Sequence, residues 1–307
     1  MIIVVFSILS IREYLQNHEY KYYNAPYTNC SYLVNRLCIY ERGTGDPIVL
    51  FPYPHSGAMK SIVYSDLFSM LVSMGRRVIT FDTPGTFSSF RKSEPSIDEM
   101  ADSAFEAIKF AGVNGKIDII GHSMGGLCAI AFVLKYPNIT GEKLILINSL
   151  SGFRSSLKWG MPGSAWKWYS KGFWKLALWG LRLKLGFGNH FDHNQLMNLI
   201  FAVSFHNKSY FEPFPIVPEF KKLRIPSRFQ WADSIWNVDF SQRLKEIRTK
   251  TLITGSKFDP QTPFPCVKEL HDNIPHSQLY MFNNSGHCPF IEEKYLFTQV
   301  LRNFLGK

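Results

Sequence analysis

Three side chains far apart in the chain have the types and surroundings that nucleophilic acyl transfer needs. Ser123 stands in Gly121-His122-Ser123-Met124-Gly125-Gly126, straight after an apolar run at 117–120 and straight before a helical pattern at 125–135. A serine on such a sharp strand-to-helix turn is held in strained backbone geometry with its hydroxyl projecting, and the flanking glycines leave room for the chain around it. The helix start also aims N–H groups and the positive end of its dipole at any oxyanion forming there. A lone G-x-S-x-G would arise by chance in about one chain in ten of this length, so the strand before it and the helix after it carry the weight.

A serine nucleophile needs a base, and the base needs a carboxylate to orient it. Asp259 follows the strand pattern 250–254 through Gly255-Ser256-Lys257-Phe258. The other place for such an acid, just after the strand ending at Ile147, offers Asn148 instead. His287, in Asn284-Ser285-Gly286-His287-Cys288-Pro289, follows the next strand and precedes the last helix. It is the one histidine of nine in such a place. Cys288, Glu292 and Glu293 beside it read as packing and helix-start residues.

The elements that must bring these residues together alternate. Strands are expected at 36–41, 48–51, 77–81, 116–120, 143–147, 250–254 and 278–282, and helices at 61–74, 96–111, 125–135, 263–273 and 292–305. Ser96, with Glu99 three residues on, opens the second helix as a capping box. Strand–helix alternation implies an α/β fold: a mostly parallel central sheet with helices on both faces.

The alternation breaks between 151 and 240. From 151 to 230 there are twelve Lys/Arg against three acids, so this stretch holds nearly all of the chain's net +10. All seven tryptophans fall within it or just beyond it. The expected organisation is a core of 1–150 and 241–307, interrupted by an inserted helical, Trp-rich basic lid at 151–240. Open α/β sheets bind ligands at the carboxyl ends of their strands, where such a lid would sit. Wound as a helix, 164–185 gathers Lys167, Lys171, Lys175 and Arg182 within an arc of roughly 80°. Trp168, Trp179, Leu176, Leu183, Tyr169 and Phe173 cover much of the other side. Three readings fit: an aromatic roof over a pocket with solvated lysines, an interfacial helix on an anionic membrane, or a lure for anionic substrates. Nucleic acid is not expected, since no nucleic-acid module accompanies the charge.

The chain resembles the α/β-hydrolase superfamily, and is similar to its lidded esterase-like and prolyl-aminopeptidase-like branches. The resemblance rests on 121–126, the Asp82-Thr83-Pro84-Gly85 turn, Gly255…Asp259 and Gly286-His287. It implies that Ser123 is the nucleophile, His287 the base and Asp259 its orienting acid, with no cofactor and no metal. Two departures stand out. Phe87 replaces a glycine of the family's turn after Asp82, and the family's His-Gly oxyanion segment meets Pro52-Tyr53-Pro54, where Pro54 has no N–H to give. The segment Pro54-His55-Ser56-Gly57 looks instead like that of type II thioesterases. The expected oxyanion donors are therefore the backbone N–H groups of Met124 and Ser56, with His55 a pocket-wall or structural residue.

These residues point to a serine hydrolase acting on a small hydrophobic carboxylic ester. A prolyl-aminopeptidase-like peptidase, a carbon–carbon bond hydrolase and a non-catalytic ligand-binding relative are the alternatives. The peptidase would be expected to hold acids in its lid for the substrate's ammonium group, and this lid is almost free of them. The five cysteines are dispersed and odd in number, and are expected to be free thiols in a reducing, cytoplasmic setting. The apolar opening 1–10 is too short for a membrane span and reads as a strand or helix on the body.

Overall fold

A computed structural model describes residues 30–35, 37–54, 62–84, 96–152, 202–211 and 237–306. The N-terminal decamer, His55, Ser56, Phe87 and the 164–185 segment lie outside the described residues.

Eight strands form one sheet: β1 (Tyr32–Val34), β2 (Leu37–Arg42), β3 (Pro47–Phe51), β4 (Arg77–Phe81), β5 (Ile117–His122), β6 (Thr140–Ile147), β7 (Lys250–Ser256) and β8 (Ser277–Phe282). Their order is β1-β2-β4-β3-β5-β6-β7-β8. β1, β2 and β4 pair antiparallel, and from β4 to β8 every pairing is parallel. The crossovers are made by α1 (Ile62–Ser73), α2 (Ile97–Phe110), α3 (Met124–Lys135) and α4 (Phe264–Asn273), and the chain closes with α5 (Pro289–Glu292) and α6 (Lys294–Leu305).

The strands read as nearly unbroken apolar runs because both faces of the sheet are covered. Their pleat divides the side chains between two cores. Val49, Phe51, Ile119, Leu144, Leu146 and Ile253 pack under α2, α3 and α4. Ile48, Leu50, Ile120, Ile145, Ile147 and Leu252 pack under α1 and α6. Phe132 of α3 meets Phe51 of β3 with ring centroids 5.6 Å apart. Each such buried ring contributes about 1.5–3 kcal/mol, and together they seat α3 squarely behind the turn at Ser123. Ser96 caps α2 as expected, its side chain accepting the Glu99 N–H at 3.0 Å.

The two ends of the stretch between Gly152 and Asp239 are held side by side. Gly152 bridges Asp239 antiparallel, and the Phe240 N–H donates to the Ser151 carbonyl at 2.9 Å. A Cβ at Gly152 would stand 2.6 Å from the Val238 carbonyl oxygen, so glycine permits this closure.

One sequence expectation is corrected. Cys30 and Cys38 are joined in a disulfide with Cα atoms 5.5 Å apart, whereas Cys128, Cys266 and Cys288 are free and buried. The tight β1–β2 hairpin folds these two cysteines together. Its three-residue first strand has too few residues to show a period in the sequence. With Cys30 and Cys38 paired, the cysteines no longer point to a reducing compartment. Among the described residues no helix is long and apolar enough to cross a membrane.

Candidate active site

The carboxyl ends of β5, β6, β7 and β8 converge on one place. At the end of β5, Ser123 takes φ 53°, ψ −125°, a conformation that costs a non-glycine residue about 1–3 kcal/mol and that persists only under firm support. That support is visible. The Ser123 N–H donates to the Ile147 carbonyl at 2.9 Å. Its own carbonyl accepts from the Gly126 N–H at 3.0 Å and from Ser149 Oγ at 2.8 Å. A Cβ on Gly121 would lie 2.4 Å from the Gly125 carbonyl oxygen, and one on Gly126 would lie 2.2 Å from Ser149 Oγ. Glycine is required at both positions for strand, turn and helix to approach so closely. Because α3 starts at Met124, that residue's N–H is among those with no partner inside the helix.

Asp259, three residues beyond β7, is buried at 5% exposure with its carboxylate fully engaged. Oδ1 accepts the backbone N–H groups of Gln261 at 2.8 Å and Thr262 at 3.1 Å. Oδ2 lies 2.6 Å from Thr262 Oγ1 and accepts from Asn148 Nδ2 at 2.8 Å and from His287 Nδ1 at 2.8 Å. Burial pushes the Asp259 carboxyl upward. Electrostatic attraction to His287 and its hydrogen bond, with the hydrogen bonds of Thr262 and Asn148, outweigh it and hold the group well below the usual carboxylate range. An ionised Asp259 fixes the His287 proton on Nδ1 and leaves Nε2 as the basic nitrogen.

Asn148, where the sequence offers no acid, still serves the same carboxylate. It sits at the end of β6 with φ 43°, and its Nδ2 reaches Asp259, Ser256 Oγ at 3.0 Å and the Gly286 carbonyl at 3.4 Å.

The loop carrying His287 is gripped through its backbone. The His287 N–H donates to the Ser204 carbonyl at 2.6 Å. Glu292 accepts the Gly286 N–H at 2.6 Å on one oxygen and the Asn207 N–H at 2.8 Å on the other. Glu293 accepts the Asn284 N–H at 3.0 Å and the Ser285 hydroxyl. The two glutamates therefore do more than start a helix: they tie the 284–287 loop down, and Glu292 also ties it to the 202–211 segment. A Cβ on Gly286 would stand 2.1 Å from the Ser204 carbonyl oxygen, so the segment docks there only against a glycine. Cys288 is fully buried and its thiol is pushed well above the usual range, first by burial and then by the nearby acids, which leaves it inert.

A second buried histidine, unremarked in the sequence, stands against the first. The rings of His122 and His287 are 4.5 Å apart, and His122 Nε2 lies 2.7 Å from the His287 carbonyl oxygen. The structure thus brings His287 against Asp259 on one side and against the residue preceding Ser123 on the other. Of the two expected oxyanion donors, Met124 begins α3 and Ser56 lies outside the described residues.

The sequence pattern of the Alpha/beta hydrolase family matches residues 53–296. The 2-hydroxy-6-oxononadienedioate/2-hydroxy-6-oxononatrienedioate hydrolase of Escherichia coli is 28% identical over 282 residues, covering 89% of this chain and 91% of that protein. Among solved structures, the esterase EaEST of Exiguobacterium antarcticum matches with a TM-score of 0.67 at 21% identity, covering 88% of this chain and 96% of that one. The meta-cleavage product hydrolase CumD of Pseudomonas fluorescens matches with a TM-score of 0.64 at 19% identity, covering 88% and 94%. At those identities the two structures speak for the fold alone.

Proposed function

The chain belongs to the alpha/beta hydrolase family, and on that premise we propose that it is a serine hydrolase cleaving a hydrophobic carboxylic ester through an acyl-enzyme on Ser123. The observation that carries this reading is the buried His287–Asp259 pair at 2.8 Å, with the His287 ring 4.5 Å from that of His122, the residue before a serine held at φ 53° on the β5–α3 turn.

In the proposed reaction His287 Nε2 takes the Ser123 proton as the serine oxygen bonds to the substrate carbonyl carbon. The backbone N–H groups of Met124 and Ser56 receive the oxyanion, each worth about 3–4 kcal/mol of transition-state stabilisation. The leaving alcohol departs with the proton held on His287. Water, deprotonated by the same nitrogen, then attacks the ester carbon, releases the acid and restores Ser123. The pairing of Gly152 with Asp239 supports reading the stretch between them as an insertion whose aromatic residues would wall the acyl pocket.

The Escherichia coli relative favours a second reading, hydrolysis of a carbon–carbon bond beside a carbonyl, which would use the same three residues. A fluorophosphonate probe should label the wild-type protein and fail to label Ser123→Ala. A panel of C2 to C12 acyl esters, a lactone, a prolyl anilide and a vinylogous diketone then separates the readings. Cleavage of the diketone without any ester would replace the first reading by the second. A labelled serine with no ester cleaved would reject ester hydrolysis.

A further inference from the structure

We infer that His122, the residue before the nucleophile, is a positioning residue that ties the strand end leading to the oxyanion segment to the backbone of the catalytic histidine. The inference rests on the triad reading above for its kinetic consequence, but its structural claim stands by itself.

His122 is completely buried, and both ring nitrogens are engaged. Nε2 faces the His287 carbonyl oxygen at 2.7 Å, and a carbonyl can only accept, so Nε2 carries the hydrogen. In a neutral ring Nδ1 then holds the lone pair, and the Tyr53 hydroxyl donates to it. The environment enforces neutrality: burial pushes the His122 imidazolium well below the usual range, and the neighbouring His287 pushes it further the same way. Asp259 favours the charged form from beyond His287 without reversing that result. The ring cannot swivel freely, since Phe290 meets it edge-on with centroids 5.1 Å apart and the Tyr53 ring stands at 5.7 Å.

What this imidazole connects gives it a role. Tyr53 lies two residues past β3, in the segment that leads toward Ser56, and the Tyr53 carbonyl accepts the Thr83 hydroxyl at 2.7 Å from the loop after β4. A single chain of hydrogen bonds therefore crosses the carboxyl edge of the sheet, from Thr83 through Tyr53 and His122 to His287. It joins the loops after β4 and β3, the nucleophile turn after β5 and the base loop after β8. Asp259 sets the tautomer of His287 through its side chain, whereas His122 fixes where the His287 backbone sits. Acyl transfer needs nucleophile, base and oxyanion donors registered together, and small misplacements there are costly in rate.

The experiment has two arms on the full chain. In the first, nitrogen-edited NMR of the imidazoles should show one neutral ring protonated at Nε2 that does not titrate between about pH 8 and about pH 5. That signal should be absent in His122→Gln and displaced in Tyr53→Phe. In the second, the rate of fluorophosphonate labelling of Ser123 should fall about tenfold or more in His122→Leu. Tyr53→Phe, which removes one hydroxyl and so spares the fold, should fall by about three- to tenfold. His122→Gln, whose amide can offer N–H to the His287 carbonyl and oxygen to the Tyr53 hydroxyl, should recover most of the loss, and a merely space-filling role would predict no such rescue. Wild-type labelling rates in both His122→Leu and Tyr53→Phe would overturn the inference, as would an imidazole at 122 that titrates normally or carries its proton on Nδ1. If the wild-type protein takes no label at all, the triad reading fails, and the NMR arm still decides whether the Tyr53–His122–His287 tie exists.

Discussion

Asp259 and Glu292 are two buried carboxylates that hold the same loop, and their surroundings set them apart. Asp259 meets the side chain of His287 and draws further donors from Asn148 and Thr262. Glu292 meets backbone N–H groups, those of Gly286 and Asn207. Burial raises both carboxyls. For Asp259 the charge of His287 and the side-chain donors more than reverse that rise. For Glu292 the backbone hydrogen bonds and the charge of His206 offset it only in part, so its carboxyl stays above the usual value. Backbone donors can hold a loop in place, but side-chain donors converging from His287, Thr262 and Asn148 are what secure the ionised state an orienting acid needs.

The sharpest test of this contrast is Asp259→Asn. An amide in its place loses the negative partner that fixes the tautomer of His287, and kcat should fall about 10⁴-fold in esterase or probe-labelling assays. Glu292→Ala acts on the backbone of the loop instead. Two N–H groups lose their acceptor, so the protein should lose about 1–3 kcal/mol in denaturant unfolding. Its activity should fall by only about tenfold, because the side chain of His287 keeps Asp259. Equal losses in the two variants would dissolve the comparison.

The pH dependence of stability should carry opposite signs at the two sites. Asp259 has a depressed folded value, so its contribution is present above about pH 4 and is lost as pH falls through that value. The stability advantage of wild type over Asp259→Asn should therefore grow as pH rises toward about 4 and level off above it. Glu292 has a raised folded value and binds its proton more tightly when folded. The advantage of wild type over Glu292→Gln should instead shrink as pH rises above about 4.5, as read by unfolding at a series of pH values. The smallest effect on activity is expected at the far edge of the sheet. Cys30→Ser opens the β1–β2 disulfide and should cost about 2–3 kcal/mol of stability while leaving the labelling rate of Ser123 unchanged.

Much of this site was legible in the sequence because its principal residues are placed by strand order. Ser123, Asp259 and His287 each follow a strand whose apolar run is plain, and strands that lie parallel in one sheet deliver their ends to one edge. The supporting residues leave no such trace. Asn148, His122 and Glu292 act through contacts with segments more than a hundred residues away or with backbone groups, and neither residue type nor period announces those. Glu292 read as a helix-start residue because its carboxylate partners are main-chain N–H groups, invisible in a string of side chains. The disulfide escaped for a different reason, since its hairpin has a first strand of only three residues.

The doorway at Gly152 and Asp239 has a consequence for how such a protein can diversify. Since Gly152 and Asp239 are adjacent hydrogen-bonded positions, a change in the number of residues between them would leave the register of every strand in place. That freedom stops at 202–211, where the stretch must still present a carbonyl to the main chain of His287, as Ser204 does at 2.6 Å, and an N–H to Glu292, as Asn207 does at 2.8 Å. A newly acquired segment that missed these contacts would leave the general base held by Asp259 and His122 alone.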